Sequence, residues 1–133
     1  MVNKIDCTIL TPERVLFEGE VGFAVVQAHN GEMGFLFNHS PLISELGIGE
    51  VRLRDEKSTN YFVVEGGAVE IRDNKLIILA ENAIPKSELK VEEIEKKMKE
   101  LSSKEVKTYS EEYFTVQAET HKMKMRLKVA NRK

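Results

Sequence analysis

The chain has 133 residues, with 20 Lys and Arg against 22 Asp and Glu, for a net charge of −2. That length fits one domain, or one small domain with an appendage, and near-neutrality excludes a nucleic-acid binder working through bulk charge. Hydrophobic residues at 41% supply a core, and a single cysteine, Cys7, excludes a disulfide-stapled scaffold. The start, Met1-Val2-Asn3-Lys4, is not a secretory signal, and no stretch approaches the ~20 apolar residues of a membrane span.

Taken in order, the first 85 residues predict short strands between turns. Ile5, Cys7 and Ile9 alternate as in a half-buried strand, which Thr11-Pro12-Glu13 ends because proline cannot donate to a ladder. Val15-Leu16-Phe17 follows, then Glu18-Gly19-Glu20 as a turn, then Val21 to Ala28. Asn30-Gly31 signals a tight turn. Further runs are Gly34 to Phe37, Leu42 to Leu46, Val51 to Arg54, Tyr61 to Val64, Val69 to Arg72 and Lys75 to Ala80. Gly47, Gly49 and Gly66-Gly67 mark the breaks. Nine or ten closely spaced short strands predict a sandwich or flattened barrel.

The chain changes character at Pro85. Residues 1–85 hold seven basic against 13 acidic residues, a net of −6, and all the glycines and prolines. Residues 86–133 hold 13 basic against nine acidic, a net of +4, with neither helix breaker after Pro85. This second part predicts two helices. Val91, Ile94, Met98 and Leu101 form a narrow seam, with Ser87 as N-cap and Glu88, Glu92 and Glu93 favouring the start. Ser110 caps the second helix, where Tyr113, Val116, Met123 and Leu127 repeat at heptad spacing beside a second stripe of Phe114, Ala118, Met125 and Val129. The alternation from His121 to Val129 also suits a strand, but its Met, Lys, Arg and Leu residues favour helix. A two-helix hairpin with no third layer is marginal, so it packs on the sandwich, on another protein, or on each in turn. It is a candidate mobile element.

Candidate chemistry is sparse. His29, Glu32 and His39 match no tight metal-ligand pattern, and no metal is expected. Cys7 sits at an apolar phase and reads as a small core hydrophobe. Gly66-Gly67 lacks the Lys-Ser/Thr of a phosphate loop and reads as a bulge or close backbone approach. No catalytic constellation is visible. The tail carries Lys122, Lys124, Arg126, Lys128, Arg132 and Lys133, either as a solvated helix face or as a contact for an acidic partner.

Thr11-Pro12-Glu13-Arg14-Val15-Leu16-Phe17-Glu18-Gly19-Glu20 and Asn30-Gly31-Glu32-Met33-Gly34-Phe35-Leu36-Phe37-Asn38-His39-Ser40-Pro41-Leu42, with Phe62 to Glu70 and Leu76 to Ala83, resemble the epsilon subunits of bacterial F-type ATP synthases. The likeness runs in order over essentially the whole chain. It implies a ten-stranded β-sandwich over residues 1–85 and an antiparallel helical hairpin over 86–133. It also implies a non-catalytic place at the foot of the central rotor stalk, peripheral on the cytoplasmic face of the cell membrane, and a monomer in isolation. The implied partners are the gamma subunit, through His39, Pro41, Leu42 and Ile43, and the membrane rotor ring of c subunits, through Asn30, Gly31, Glu32 and Met33. The hairpin is implied either to fold on the sandwich or to extend toward the alpha/beta catalytic head. There Lys122, Lys124, Arg126 and Lys128 meet acidic loops and ATP hydrolysis is inhibited.

Some family members bind ATP in the folded hairpin through an Ile/Leu-Asp-x-x-Arg-Ala motif. The matching stretch here is Leu89-Lys90-Val91-Glu92-Glu93-Ile94, with Lys90 at the aspartate position and Glu93 at the arginine position, so no cofactor is expected. The alternatives to a coupling and regulatory rotor subunit are an ATP-sensing hairpin module and a free-standing small enzyme. The reversed motif counts against the first and the missing catalytic constellation against the second.

Overall fold

The computed structural model describes residues 3–132. Lys133, part of the basic tail, lies outside the described residues. Eight strands come first: β1 (Ile5–Leu10), β2 (Val15–Val21), β3 (Phe23–Ala28), β4 (Gly31–Phe35), β5 (Leu42–Arg54), β6 (Thr59–Arg72), β7 (Lys75–Ala80) and β8 (Ala83–Pro85). A 3-10 turn at Lys86–Glu88 leads to α1 (Val91–Ser102) and α2 (Glu111–Ala130).

The sheet order is β2-β1-β7-β6-β5-β3-β4, with β8 added to β6. All pairings are antiparallel except β1 with β7. Eight strands replace the expected ten, and the sheet is open rather than closed as a barrel.

The glycines explain the count. Leu42–Leu46 and Val51–Arg54 belong to one 13-residue strand, and Tyr61–Val64 and Val69–Arg72 to one 14-residue strand. Pairing between them pauses at Gly47 and Gly66 and resumes in unchanged register, Leu46 with Gly67 and Ile48 with Glu65. Gly66 and Gly67 have φ of +86° and +135°, and a Cβ on Gly67 would stand 2.2 Å from the Leu79 carbonyl oxygen. These glycines bend two continuous strands from one layer into the other. β8 was not anticipated; it extends the second layer by pairing Ala83–Pro85 with Phe62–Val64.

Two turn expectations shift as well. Glu18, Gly19 and Glu20 continue β2, facing Thr8, Cys7 and Asp6 of β1. The β3–β4 turn is His29-Asn30, closed by the Ala28–Gly31 pair, and the positive φ belongs to Gly31 rather than Asn30.

The core lies between the two layers. Ile5, Cys7 and Ile9 of β1, Leu76 and Ile78 of β7 and Val69 and Ile71 of β6 meet Ala24, Val26, Phe35, Leu53, Phe62 and Val64, all buried. A second, smaller cluster of Ile94, Leu101, Val116 and Met123 joins α1 to α2.

The helix expectation holds for His121–Val129, which lies inside α2. Ser110 caps α2 by accepting from the Tyr113 amide at 3.1 Å. Ser87 does not cap α1: it lies in the 3-10 turn, and the N-cap position is Lys90, with no side-chain bond. At 12 residues α1 spans about 18 Å, against about 30 Å for the 20 residues of α2.

Candidate functional site

The site is assembled on the outer faces of the two layers, which differ in kind. On the layer formed by β3 and the paired halves of β5 and β6, the outward positions are Val25, Glu50, Arg52, Tyr61, Val63 and Glu65. Strand alternation dictates this, since Ala24, Val26, Val51, Leu53, Phe62 and Val64 point into the core. Helix α2 covers this face. Val63 and Val129 are fully buried and Val25 nearly so, although none belongs to either core cluster.

Two carboxylates lie beneath the helix, each side chain 2% exposed. Glu65 accepts from Arg126 Nε at 2.7 Å and Nη2 at 2.8 Å, and from Asn82 Nδ2 at 2.8 Å. Glu50 accepts from Arg132 Nε and Nη2, both at 2.7 Å, and from Arg52 Nη1 at 2.9 Å. The Arg132 guanidinium also lies 5.5 Å from the centroid of the Tyr61 ring. Both pairs are bidentate, the geometry in which arginine binds carboxylates most strongly.

Burial pushes the Glu65 carboxyl up, but the hydrogen bonds from Arg126 and Asn82 and the charges of Arg126 and Lys122 outweigh it and hold it below the ordinary range. Glu50 is balanced in the same way: burial pushes it up, and Arg132 and Arg52 bring it lower. Both carboxylates are therefore charged while covered.

Of the basic residues assigned to an acidic partner, Arg126 is committed to Glu65 and Lys122 stands 3.4 Å from Glu119. Lys124 and Lys128 are exposed. Of the seam residues, Ile94, Leu101, Val116 and Met123 are buried together with Met98 and Leu127 packed on them. Val91 is half-buried, and Tyr113 instead meets Tyr109 and Phe114 edge-on at 5.5 and 5.4 Å.

Among the described residues, no helix covers the outer face of the other layer. The register sets Ile43 opposite Glu70 and Glu70 opposite Ile77, and sets Leu79 opposite Leu10, which faces Val15. Ile43 is 71% exposed, Val15 55%, Leu79 52% and Ile77 42%, and Leu36 and Phe37 in the β4–β5 connection are also exposed. Ile77, Leu79, Leu10 and Val15 thus form an apolar strip open to solvent, with Ile43 beside it across the exposed Glu70.

His39, Pro41, Leu42 and Ile43 lead into it. The His39 ring lies 5.1 Å from the Phe35 ring, and its Nδ1 meets the Ser40 carbonyl at 2.6 Å. Asn30, Gly31, Glu32 and Met33 form the β3–β4 turn and the start of β4. Glu32 pairs with Arg52 at 2.9 Å, and that hydrogen bond, with the Arg52 and Lys128 charges, lowers its carboxyl pKa against burial and the Glu50 charge, which push it up.

Cys7 is buried and its thiol is pushed up to about 12 by burial, which makes it inert as a nucleophile. Lys90 and Glu93 stand 3.8 Å apart. They line a cleft of about 280 Å³ between the 3-10 turn and the helices, together with Glu88, Lys97, Glu119 and Arg126. Glu88 is held by Arg14 at 2.7 and 3.0 Å.

Sequence reasoning missed Glu50, Glu65 and the role of Arg132. One signal was available. Phe62, Val63 and Val64 are consecutive apolar residues, which marks a strand covered on both faces, and Glu65 sits in phase with Val63.

The family profile described as ATP synthase, Delta/Epsilon chain, beta-sandwich domain matches residues 4–86. An ATP synthase epsilon chain of Leptospira interrogans is 39% identical over 95 residues, 71% of this chain and 74% of the relative. Those of Pelotomaculum thermopropionicum and Priestia megaterium are 46% identical over 80 residues and 36% over 98, covering 60% and 74% of this chain and 59% and 73% of the relatives. Among solved structures, a chain of the Euglena gracilis mitochondrial ATP synthase (OSCP/F1/c-ring) superposes with a TM-score of 0.84 at 20% identity, over 98% of this chain and 82% of that one. A chain of the Tetrahymena thermophila mitochondrial ATP synthase central stalk and c-ring gives 0.68 at 14%, over 95% and 96%.

Proposed function

The chain belongs to the ATP synthase delta/epsilon family, and on that premise we propose that it is the epsilon-type subunit of the central rotor stalk. In this reading it takes no catalytic step of its own. It links ion flow through the membrane ring to ATP synthesis in the head, and it sits as a peripheral part of the complex at the cytoplasmic face of the membrane.

The observation that carries the reading is the open apolar strip of Ile77, Leu79 and Val15, with Ile43 exposed beside it across Glu70. A stalk subunit needs a permanent partner face, and a strip of this kind on an otherwise well-buried sandwich marks a protein contact. We assign it to the gamma subunit, with His39, Pro41 and Leu42 at its border. The turn of Asn30, Gly31, Glu32 and Met33 then faces the rotor ring.

Residues 1–85 act as the assembly unit and 86–133 as a regulatory hairpin that restrains ATP hydrolysis when it leaves the sandwich for the alpha/beta head. Lys124 and Lys128 are exposed for an acidic surface, whereas Arg126 becomes available only after release. An ATP-sensing role for the hairpin is disfavoured. The cleft at Lys90 and Glu93 sets three carboxylates against three cations, one of which already serves Glu65, so phosphate binding there is weak.

Capture by the gamma subunit tests the assignment. The full chain binds gamma, and Ile43→Asp with Leu79→Asp abolishes capture while the thermal transition is kept. Capture unaffected by both substitutions places the partner face elsewhere.

A further inference from the structure

We propose that Glu65 is the switch contact of the hairpin: a carboxylate that α2 can cover only while Arg126 is docked on it, with Glu50 and Arg132 as a second, weaker point. The consequence for the complex rests on the stalk reading. Docking itself is a property of the isolated chain.

The two carboxylates keep different partners when the helix leaves. Glu50 keeps Arg52, which holds it at 2.9 Å from within β5 and also bonds Glu32. Among the described residues, Glu65 keeps only the neutral amide of Asn82. With α2 gone, both lie on the outer sheet face and water replaces the arginines at little penalty. With α2 in place, water is excluded, and a carboxylate without its guanidinium is a buried bare charge.

The geometry therefore penalises one state sharply, namely a covered Glu65 without Arg126. For Glu50 the same loss is cushioned by Arg52. The two points are thus unequal, and Arg126 has two mutually exclusive uses, because a guanidinium holding Glu65 in a bidentate pair cannot hold a carboxylate of another chain in the same way. Glu65 acts as an internal competitor for any acidic partner of α2.

The test is a substitution cycle read as a distance. Spin labels at Lys57→Cys and Lys124→Cys, both exposed and outside the latch, report docking in the full chain, with Cys7 buried and unlabelled. Arg126→Gln raises the undocked fraction by about tenfold or more. Arg132→Gln raises it less. Glu65→Gln together with Arg126→Gln returns the distribution toward the parent, because the bare charge is gone. Strand amide exchange, unchanged in all variants, confirms that the sandwich is intact. The proposal is overturned if Arg126→Gln leaves the distances as in the parent, or if the double substitution is no better docked than Arg126→Gln alone. A restored cycle with no change in ATP hydrolysis by the assembled complex keeps the latch and removes the regulatory reading.

Discussion

The sandwich and the hairpin solve the burial problem differently. The sandwich encloses 18 buried residues between two layers of its own strands. The hairpin buries four at its internal seam and is tied to the sheet by two arginine–carboxylate pairs, with Val129 of α2 and Val63 and Val25 of the covered face buried as well. Apolar packing is non-directional and holds at any register that fills space, whereas a bidentate ion pair holds at one place. On the proposed reading, an element held by such pairs has a single docked position, and on release both charges reach water. The sandwich has no comparable exit.

The sharpest way to break this contrast is to empty each core. Phe35→Ala removes a fully buried ring from the sandwich and lowers unfolding free energy by about 3–5 kcal/mol. Ile94→Ala costs about 2–3 kcal/mol, but that loss stays in the hairpin: α1 and α2 amides exchange faster while β1, β6 and β7 amides keep their protection. Global unfolding by Ile94→Ala would erase the distinction. Ser110→Ala removes the cap of α2 and weakens the hairpin by about 1 kcal/mol, again seen in helix exchange and not in the melting of the strands.

Much of this division was legible in the sequence. The break at Pro85, the seam of Ile94, Leu101, Val116 and Met123 and the cap at Ser110 follow from local pattern, because periodicity and capping act over a few residues. The strand count was not legible. Gly47 and Gly66-Gly67 look like turns in sequence, and only the partner strand shows that they bend continuous ladders. Nor was the latch legible: Glu65 and Arg126 are 61 residues apart, and nothing local distinguishes Arg126 from the exposed Lys124 and Lys128.

The smallest expected effect is that of pH. Burial raises the Glu65 and Glu50 carboxyls, but Arg126, Asn82 and Lys122 around the first, and Arg132 and Arg52 around the second, set both below their ordinary values in the docked state. Glu32 lies beside Arg52, shares it and is itself lowered. A depressed pKa contributes stability above the free value and loses it as pH falls through the docked value. Docking therefore stays level from pH 6 to 8 and weakens only below about pH 4. Measured by the same spin-label distance, a change centred near neutrality would mean that another group governs release.

On the proposed reading, the hairpin restrains a rotor whose assembly the sandwich alone supports. ATP hydrolysis by the complex, reconstituted with the full chain or with a chain ending at Lys86, tests it most directly. Normal assembly and faster hydrolysis are expected without residues 87–133; equal hydrolysis under every nucleotide and ion condition would rule out a restraining hairpin.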